Sequence, residues 1–421
     1  MAGRGPGVTW RPGYVGRSMS MFGRALGLLG WLRKPLTVAQ ALSSLAGAGA
    51  MILAAAAMEP AEFTQFALFT LATGLLTGLC RAAIYQPALI AQRRLPNSHV
   101  PWHYAAMCSM GLGLAMLAVS WGLGVRDAID LAWLAGSALV PAWFEWLNSR
   151  GIALDRRWDV AGANLLRVLL TATAAASPQL RSDSVALQSY LSLSLVVPTL
   201  YLLSRLPRIP SWEPYRKYAR AGGWQLVDFL LGQSLQVVPL LVLGGAADSG
   251  PVAGVRLAQS LLGPFNLVAA AAAANLLADG ATRAEFAAAR SVIVRGMRIG
   301  RTLAMLALGL VGTLVTLAWL TGFELRGVDN ASLLLGLTLV GASLITSGWS
   351  NVHALVLRIL DYQAMVTIGR GLLALLTVTG FLTGYLAGGT TSSLIVGFLT
   401  LTLTTPIVLL TMSARVYRRL H

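Results

Sequence analysis

Trp146 to Leu170 reads WLNSRGIALDRRWDVAGANLLRVLL, and Trp349 to Leu373 reads WSNVHALVLRILDYQAMVTIGRGLL. Trp146, Asn148, Ala161, Arg167, Leu169 and Leu170 of the first stretch recur at one constant offset as Trp349, Asn351, Ala364, Arg370, Leu372 and Leu373 of the second. Each stretch is a polar break followed by an apolar helix with one arginine well inside it. A guanidinium in hydrocarbon costs free energy, so two at matched positions mark a functional site carried by an internal duplication.

The rest of the chain supports a bilayer setting. Of 421 residues, 56% are hydrophobic and 11% charged, where a soluble domain carries about 25% charged residues. Mean hydropathy is +0.68. The net charge of +16 could point to nucleic acid, but the arginines sit at the ends of apolar runs and no basic nucleic-acid-reading module is visible. Cys80 and Cys108 lie in apolar stretches, without metal spacing or a disulfide framework.

A hydrocarbon core of about 30 Å needs about 20 apolar residues per helix. Twelve segments meet that length, near 36–58, 63–91, 102–124, 128–148, 158–178, 185–204, 222–246, 251–277, 301–322, 332–357, 363–387 and 391–413. The expected fold is therefore an all-α integral membrane protein of about twelve transmembrane helices. Residues 1–35 read as a basic leader, in which Met19 to Trp31 is weakly amphipathic and suited to a membrane surface. Residues 36–204 form an N-terminal six-helix lobe, 205–221 a linker with Pro207, Pro210 and Pro214, 222–413 a C-terminal six-helix lobe, and 414–421 a basic tail. The connection Asp279–Gly300 fits an amphipathic helix on anionic lipid or a solvated loop equally well.

With the amino terminus inside, outer connections hold only Arg126, Arg181 and Arg326; Arg81, Arg167, Arg256 and Arg370 lie in spans, and the remaining 25 of the 32 Lys and Arg fall on the inner side. That asymmetry places both termini in the cytoplasm of a cell inner (plasma) membrane protein. Connections are short, leaving no room for a soluble catalytic domain.

The halves match elsewhere. Ser192, Leu193, Ser194, Leu195 and Pro198 correspond to Thr400, Leu401, Thr402, Leu403 and Pro406, and Pro60 and Ala67 to Pro251 and Ala258. Six spans per half is an even number, so both halves enter from the same side. The two six-helix repeats are then parallel, related by an axis along the membrane normal. Pro87, Pro141, Pro198, Pro239, Pro264 and Pro406 lie within spans and should bend or break them.

No His/Cys cluster, phosphate-cradling glycine loop or carboxylate pair is present, so an enzyme is not expected, and no cofactor or metal is called for. His99, His103, His353 and His421 have no such context. Arg167 lies nine residues beyond Trp158, about 14 Å into its helix at ~1.5 Å per residue. Arg370 lies at similar depth, with Arg81 and Arg256 in segments two and eight. Only Glu145 and Asp228 oppose these four, so the interior stays net positive even if both pair. Such a cavity suits an anion, because guanidinium forks match phosphate oxygens bidentately. Gln40, Gln225, Gln233, Gln236, Gln259, Asn164, Asn266 and Asn275 add groups that suit sugar hydroxyls. The alternative is structural: Arg167 and Arg370 cap carbonyls or pair with Glu145 and Asp228.

Twelve spans in two parallel repeats with a cationic interior resemble the multidrug/oligosaccharidyl-lipid/polysaccharide exporter (MOP) superfamily, and within it the Wzx-type polysaccharide or O-antigen flippases. Gly250-Pro-Val-Ala-Gly-Val-Arg-Leu-Ala258, with Val238-Pro-Leu-Leu-Val-Leu-Gly244 before it, resembles that family's turn from helix seven into helix eight. The resemblance implies a two-lobe, MATE-like bundle around a central cavity. It also implies a flippase carrying a polyprenyl-pyrophosphate-linked oligosaccharide from inner to outer leaflet by alternating access, for surface polysaccharide biosynthesis. Arg167, Arg370, Arg256 and Arg81 would hold the pyrophosphate, with Arg167 and Arg370 facing one another across the axis. Gln40, Asn164, Gln225, Gln233 and Asn266 would line the glycan space, while the tail stays in membrane lipid. Polysaccharide polymerase or glycosyltransferases would be protein partners, and nucleic acid would not. The alternative within the superfamily is a cation-coupled drug or small-molecule antiporter, with Asp228 and Glu145 coupling the ion.

Overall fold

The structure is a computed structural model that describes residues 35–85, 102–207, 219–235, 237–244, 250–263, 265, 269, 286–322, 325–359 and 362–419. The leader, with its amphipathic stretch, and most of the linker lie outside the described residues, as do Pro87 and Pro264.

Helix α1 covers Pro35–Ala57, and α2 covers Pro60–Cys80, continued by a π-helical turn at Arg81–Tyr85. Helix α3 is Trp102–Gly122. The fourth segment is split into α4 (Ala128–Ser137) and α5 (Leu139–Ala153). Then come α6 (Arg157–Thr173), the short α7 (Pro178–Ser182), α8 (Ser184–Ser194) and α9 (Val196–Arg205). The second half runs α10 (Ala219–Ser234), α11 (Val237–Gly244), α12 (Gly250–Leu261), α13 (Phe286–Thr321), α14 (Asn330–Ile359) and α15 (Gln363–Arg419). Gly389, at φ +74°, is the hinge at which α15 folds back on itself; that left-handed conformation favours glycine. The Asp279–Gly300 connection ends as the first turns of α13, so from Phe286 on it is helix continuous with the ninth span rather than a loop.

The described residues of the twelve apolar segments fall almost entirely on helix, and seven of the described helical elements are long and apolar enough to cross a membrane. Twelve segments give seven such elements for local reasons. Segments eleven and twelve run together in α15. Segment five, α6, holds Arg157, Asp159 and Arg167 within 17 residues. Segment four carries Asp130 and Glu145, segment seven is interrupted before Val237, and segment eight is described as regular helix only to Leu261. The interruptions follow the prolines. Pro141, Pro198 and Pro239 each occupy the first turn of α5, α9 and α11, where the missing N–H would have had no intrahelical acceptor. Among the described in-span prolines, Pro406 alone stays in a helix interior.

At the end of the bundle opposite Pro35 and Arg419, helix N-termini are capped by acids. Asp127 accepts from the Ile129 amide (2.7 Å), Asp183 from those of Val185 and Ala186 (2.9 and 3.0 Å), and Asp329 from that of Ser332 (3.0 Å). Each caps orphan donors and sits at the positive pole of the helix dipole.

Packing repeats between the halves. In the first, α1 lies on α6, α3 on α4 and α5, and α2 on α8; in the second, α10 lies on α15, α13 on α14, and α12 on α15. The closest crossing is α12 against α14. A Cβ on Gly254 would stand 2.1 Å from the Ser332 carbonyl oxygen, and one on Gly336 2.4 Å from that of Gly254. The cores show how the lobes join. One cluster mixes Met51, Met58, Phe63 and Phe66 of the first half with Leu240, Val252, Val328 and Leu333 of the second at the acid-capped end, and runs on within the second half to Ile293 and Val356. Towards the other end each half keeps its own core, around Tyr85, Phe144 and Trp146 in the first and around Leu357, Val366 and Leu409 in the second. The joined end is further tied by the Gly327 amide donating to the Ala55 carbonyl (2.8 Å) and by an Arg326–Glu59 ion pair.

Candidate functional site

The two matched arginines occupy equivalent places. Arg167, on α6, reaches α1, where its Nη1 donates to Ser43 Oγ at 3.1 Å. Arg370, in the first arm of α15, reaches α10, where its Nη1 meets Asp228 Oδ2 at 2.8 Å. Helices α1 and α10 open the first and second halves, so the duplication preserves which helix each arginine grips and changes what it finds there.

Each arginine lines a cavity in its own half. Arg370 lines a C-terminal chamber of about 430 Å³ together with Gln233, Gln259, Ser343, Ser347, Asn351 and Thr405. Arg167 lines an N-terminal chamber of about 240 Å³ together with Thr70, Thr73, Thr77, Glu145, Thr171, Gln188 and Ser192. The two arginines line different chambers. Among the described residues, Arg256 on α12 lines both chambers. Its Nη1 donates to Gln259 Oε1 at 3.0 Å, while its buried Nε has no hydrogen-bond partner among the described residues.

The acids are committed. Arg81 binds Glu145 at 2.6 Å and Arg370 binds Asp228 at 2.8 Å. No carboxylate lies within ion-pair distance of Arg167 or Arg256 among the described residues. The chambers therefore carry two guanidinium charges with only hydroxyl or amide partners.

The neutral groups are sorted less well by sequence. Gln233 lines the C-terminal chamber. Gln40 is exposed and lines neither chamber, being on the wrong face of α1. Asn164 is buried and turns its amide back to the Val160 carbonyl (2.9 Å), one helical turn earlier. The Gln225 side chain and Asn266 lie outside the described residues. Asn351 lines the C-terminal chamber, but its match Asn148 is buried and lines neither. Arg81 supports the N-terminal chamber through Glu145 and is not itself in its wall. The residues that the sequence reading passed over are Thr70, Thr73, Thr77, Thr171, Gln188 and Ser192. Their signal was present: Thr70, Thr73 and Thr77 recur at three and four residues, one polar stripe on an apolar helix.

No protein-family model matches the sequence, and no curated protein matches it. Solved structures do. A multidrug resistance MATE family transporter of the MOP superfamily, in an inward-facing conformation, aligns with a TM-score of 0.67 at 13% identity, over 89% of this chain and 95% of that one. A MOP superfamily transporter from Pyrococcus furiosus, described as having a binding pocket of reverse polarity, aligns at 0.60 and 14%, over 93% and 95%. The lipid II flippase MurJ, in an inward closed conformation, aligns at 0.57 and 13%, over 91% of each chain. The chain has the two-lobe MATE-like fold. In that fold, the chambers described above sit one per lobe, with Arg256 between them.

Proposed function

We propose that this chain is a membrane transporter that moves an anionic, lipid-linked glycan between leaflets, its two lobes alternately opening toward either side. The observation that carries the reading is charge. Both intramembrane carboxylates are taken up by Arg81 and Arg370, and Arg167 and Arg256 remain with neutral partners in spaces large enough for a head group. Transfer of an anion into a low-dielectric interior requires such pre-placed positive charge. The MurJ flippase and the multidrug MATE transporter share the fold, so the architecture is compatible with either kind of cargo. The shared core at the acid-capped end fits a lobe arrangement closed there. The excess of arginine toward the terminus-bearing end supports a cytoplasmic position for it, in which the chain awaits cargo from inside. A polyprenyl-diphosphate oligosaccharide fits best, with its diphosphate on Arg167 and Arg256, its glycan reaching toward Arg370 in the larger chamber and its tail in lipid.

The test is reconstituted flipping of a fluorescent polyprenyl-diphosphate oligosaccharide by the Arg167→Ala/Arg370→Ala double variant. Transport should fall at least tenfold with the protein still folded. Transport equal to wild type would overturn the site. A second reading rests on Glu145, which lines the N-terminal chamber: a cation-coupled drug antiporter. It requires efflux of a cationic dye that disappears in Glu145→Gln or Asp228→Asn.

A further inference from the structure

The N-terminal chamber has a donor–acceptor polarity of its own. Thr73 Oγ1 donates to the Phe69 carbonyl (2.9 Å), Thr77 Oγ1 to that of Thr73 (2.7 Å), and Thr171 Oγ1 to that of Arg167 (2.9 Å). Each hydroxyl proton is spent on the carbonyl one turn earlier, so these threonines offer only oxygen lone pairs to the cavity. Gln188, from α8 across the chamber, spends both amide protons on Thr73 Oγ1 (3.1 Å) and Ser192 Oγ (3.3 Å). The wall formed by α2, α6 and α8 is therefore rich in acceptors, while the strong donors are Arg167 and Arg256. A bare phosphate matches the arginines but meets the wall acceptor to acceptor. A monovalent organic cation matches the wall and is repelled by the arginines. What satisfies both surfaces is an anionic group with hydroxyl donors a bond or two away.

We infer that the N-terminal chamber is a reader of phosphorylated sugar, in which Arg167 and Arg256 hold the phosphate and Thr73, Thr77 and Thr171 accept hydrogen bonds from ring hydroxyls. This rests on the proposed function and sharpens it, assigning the first sugar of the cargo to the smaller lobe cavity. It also gives a reason for Arg256 to lack a carboxylate partner among the described residues, since the ligand then supplies the counter-charge.

The experiment is calorimetric titration of the full-length protein in lipid nanodiscs, without sugar-headed detergent, using glucose 1-phosphate and methyl phosphate. Both probes carry the same phosphate monoester, but only the first has ring hydroxyls. Wild type should bind glucose 1-phosphate at least about tenfold more tightly, given roughly 0.5–1.5 kcal/mol for each hydrogen bond. Thr77→Val/Thr171→Val, isosteric but without lone pairs, should bring the two probes within about twofold of each other. Thr77→Ser/Thr171→Ser should keep the preference, which separates hydroxyl loss from misfolding. Arg167→Gln should weaken both probes together. Equal binding of the probes by wild type, or a preference that survives the valine pair, overturns the sugar assignment and leaves the anionic site standing. Failure of wild type to bind either probe overturns both.

Discussion

Asp228→Asn gives the sharpest test of the charge argument. Arg370 and Asp228 stand 2.8 Å apart with side chains 24% and 19% exposed, so the pair is only lightly screened. Two unit charges at about 4 Å interact by roughly 4 kcal/mol at an effective dielectric of ~20. Most of that attraction offsets desolvation, and a hydrogen bond to a charged group contributes about 1.5–3 kcal/mol net, against about 1 for a neutral one. An anion entering the C-terminal chamber must compete with Asp228 for Arg370. Asparagine keeps the shape and a carbonyl acceptor but removes the competing charge, worth about 0.5–2 kcal/mol by the difference. Affinity for inorganic pyrophosphate should rise about 2- to 30-fold, and the gain should shrink as salt rises. Folding should weaken by about 1–3 kcal/mol, because a half-buried guanidinium loses its counter-charge. The assay is pyrophosphate titration of both proteins in nanodiscs, with melting followed in parallel. Arg370→Gln serves as the opposite control and should lose affinity. Unchanged or weaker pyrophosphate binding by a folded Asp228→Asn protein would refute the claim that Arg370 is an anion site held in check by an internal carboxylate.

Four further outcomes concern other parts of the molecule. Gly327→Val, whose Cβ would stand 2.7 Å from that of Phe63, should loosen the joined end of the lobes; a cysteine at Thr70, in a background lacking Cys80 and Cys108, should then react several-fold faster with an impermeant maleimide added on the Glu59 side. Glu59→Gln should change that rate less than about twofold, since Glu59 and Arg326 are about 60% exposed and such pairs contribute at most ~1 kcal/mol. Gly254→Ala should cost about 1–3 kcal/mol by driving α12 from α14, read as a lowered melting temperature; an unchanged melt would contradict the backbone contact. Asp329, whose carboxylate accepts hydrogen bonds from Ser332, is held below its ordinary value near 3.9. The stabilisation is therefore present above that value and lost as pH falls through the lower folded one, so Asp329→Asn should flatten the acid limb of the stability profile below about pH 4.

How much of this the sequence disclosed depended on the kind of signal. Span positions were legible because a bilayer enforces long apolar runs. The duplicated Trp-x-Asn break and its arginine gave the two-lobe plan, because few sequences place a guanidinium mid-span without purpose. The interruptions at Pro141, Pro198 and Pro239 followed from the lost N–H. Partnering was less legible. Whether Arg370 meets Asp228, and Arg167 a serine, depends on which residue α10 and α1 turn inward at one level, and boundaries read from hydropathy do not fix helix rotation. The same uncertainty put Gln40 and Asn164 in the expected cavity. Isolated polar residues were counted there by type, whereas the useful signal was periodic: Thr70, Thr73 and Thr77 share a face, and a face is what a chamber sees. Arg256 was singled out from sequence as one of four arginines. Its place between both chambers needed the crossing of α12 with α14, which two glycines 82 positions apart make possible.

The duplication also bears on why the lobes are not equivalent. Equal halves would have given each matched arginine the same partner. Here the first finds Ser43, a neutral acceptor, and the second finds Asp228, a counter-charge. An anion approaching Arg167 meets a guanidinium whose direct partner is neutral, with Glu145 of the same chamber already paired to Arg81, whereas one approaching Arg370 must compete with Asp228 directly. With Arg256 lining both chambers, the smaller space is the one whose own arginine has no direct counter-charge among the described residues. A cargo with a compact charged end and a bulky uncharged remainder would then settle with the phosphate in the 240 Å³ chamber and spill its bulk into the 430 Å³ one. That orientation makes a definite demand: Arg167 substitutions should reduce affinity for phosphate-bearing probes more than Arg370 substitutions do, and the reverse order would mean that the asymmetry of partners does not set the direction in which the cargo lies.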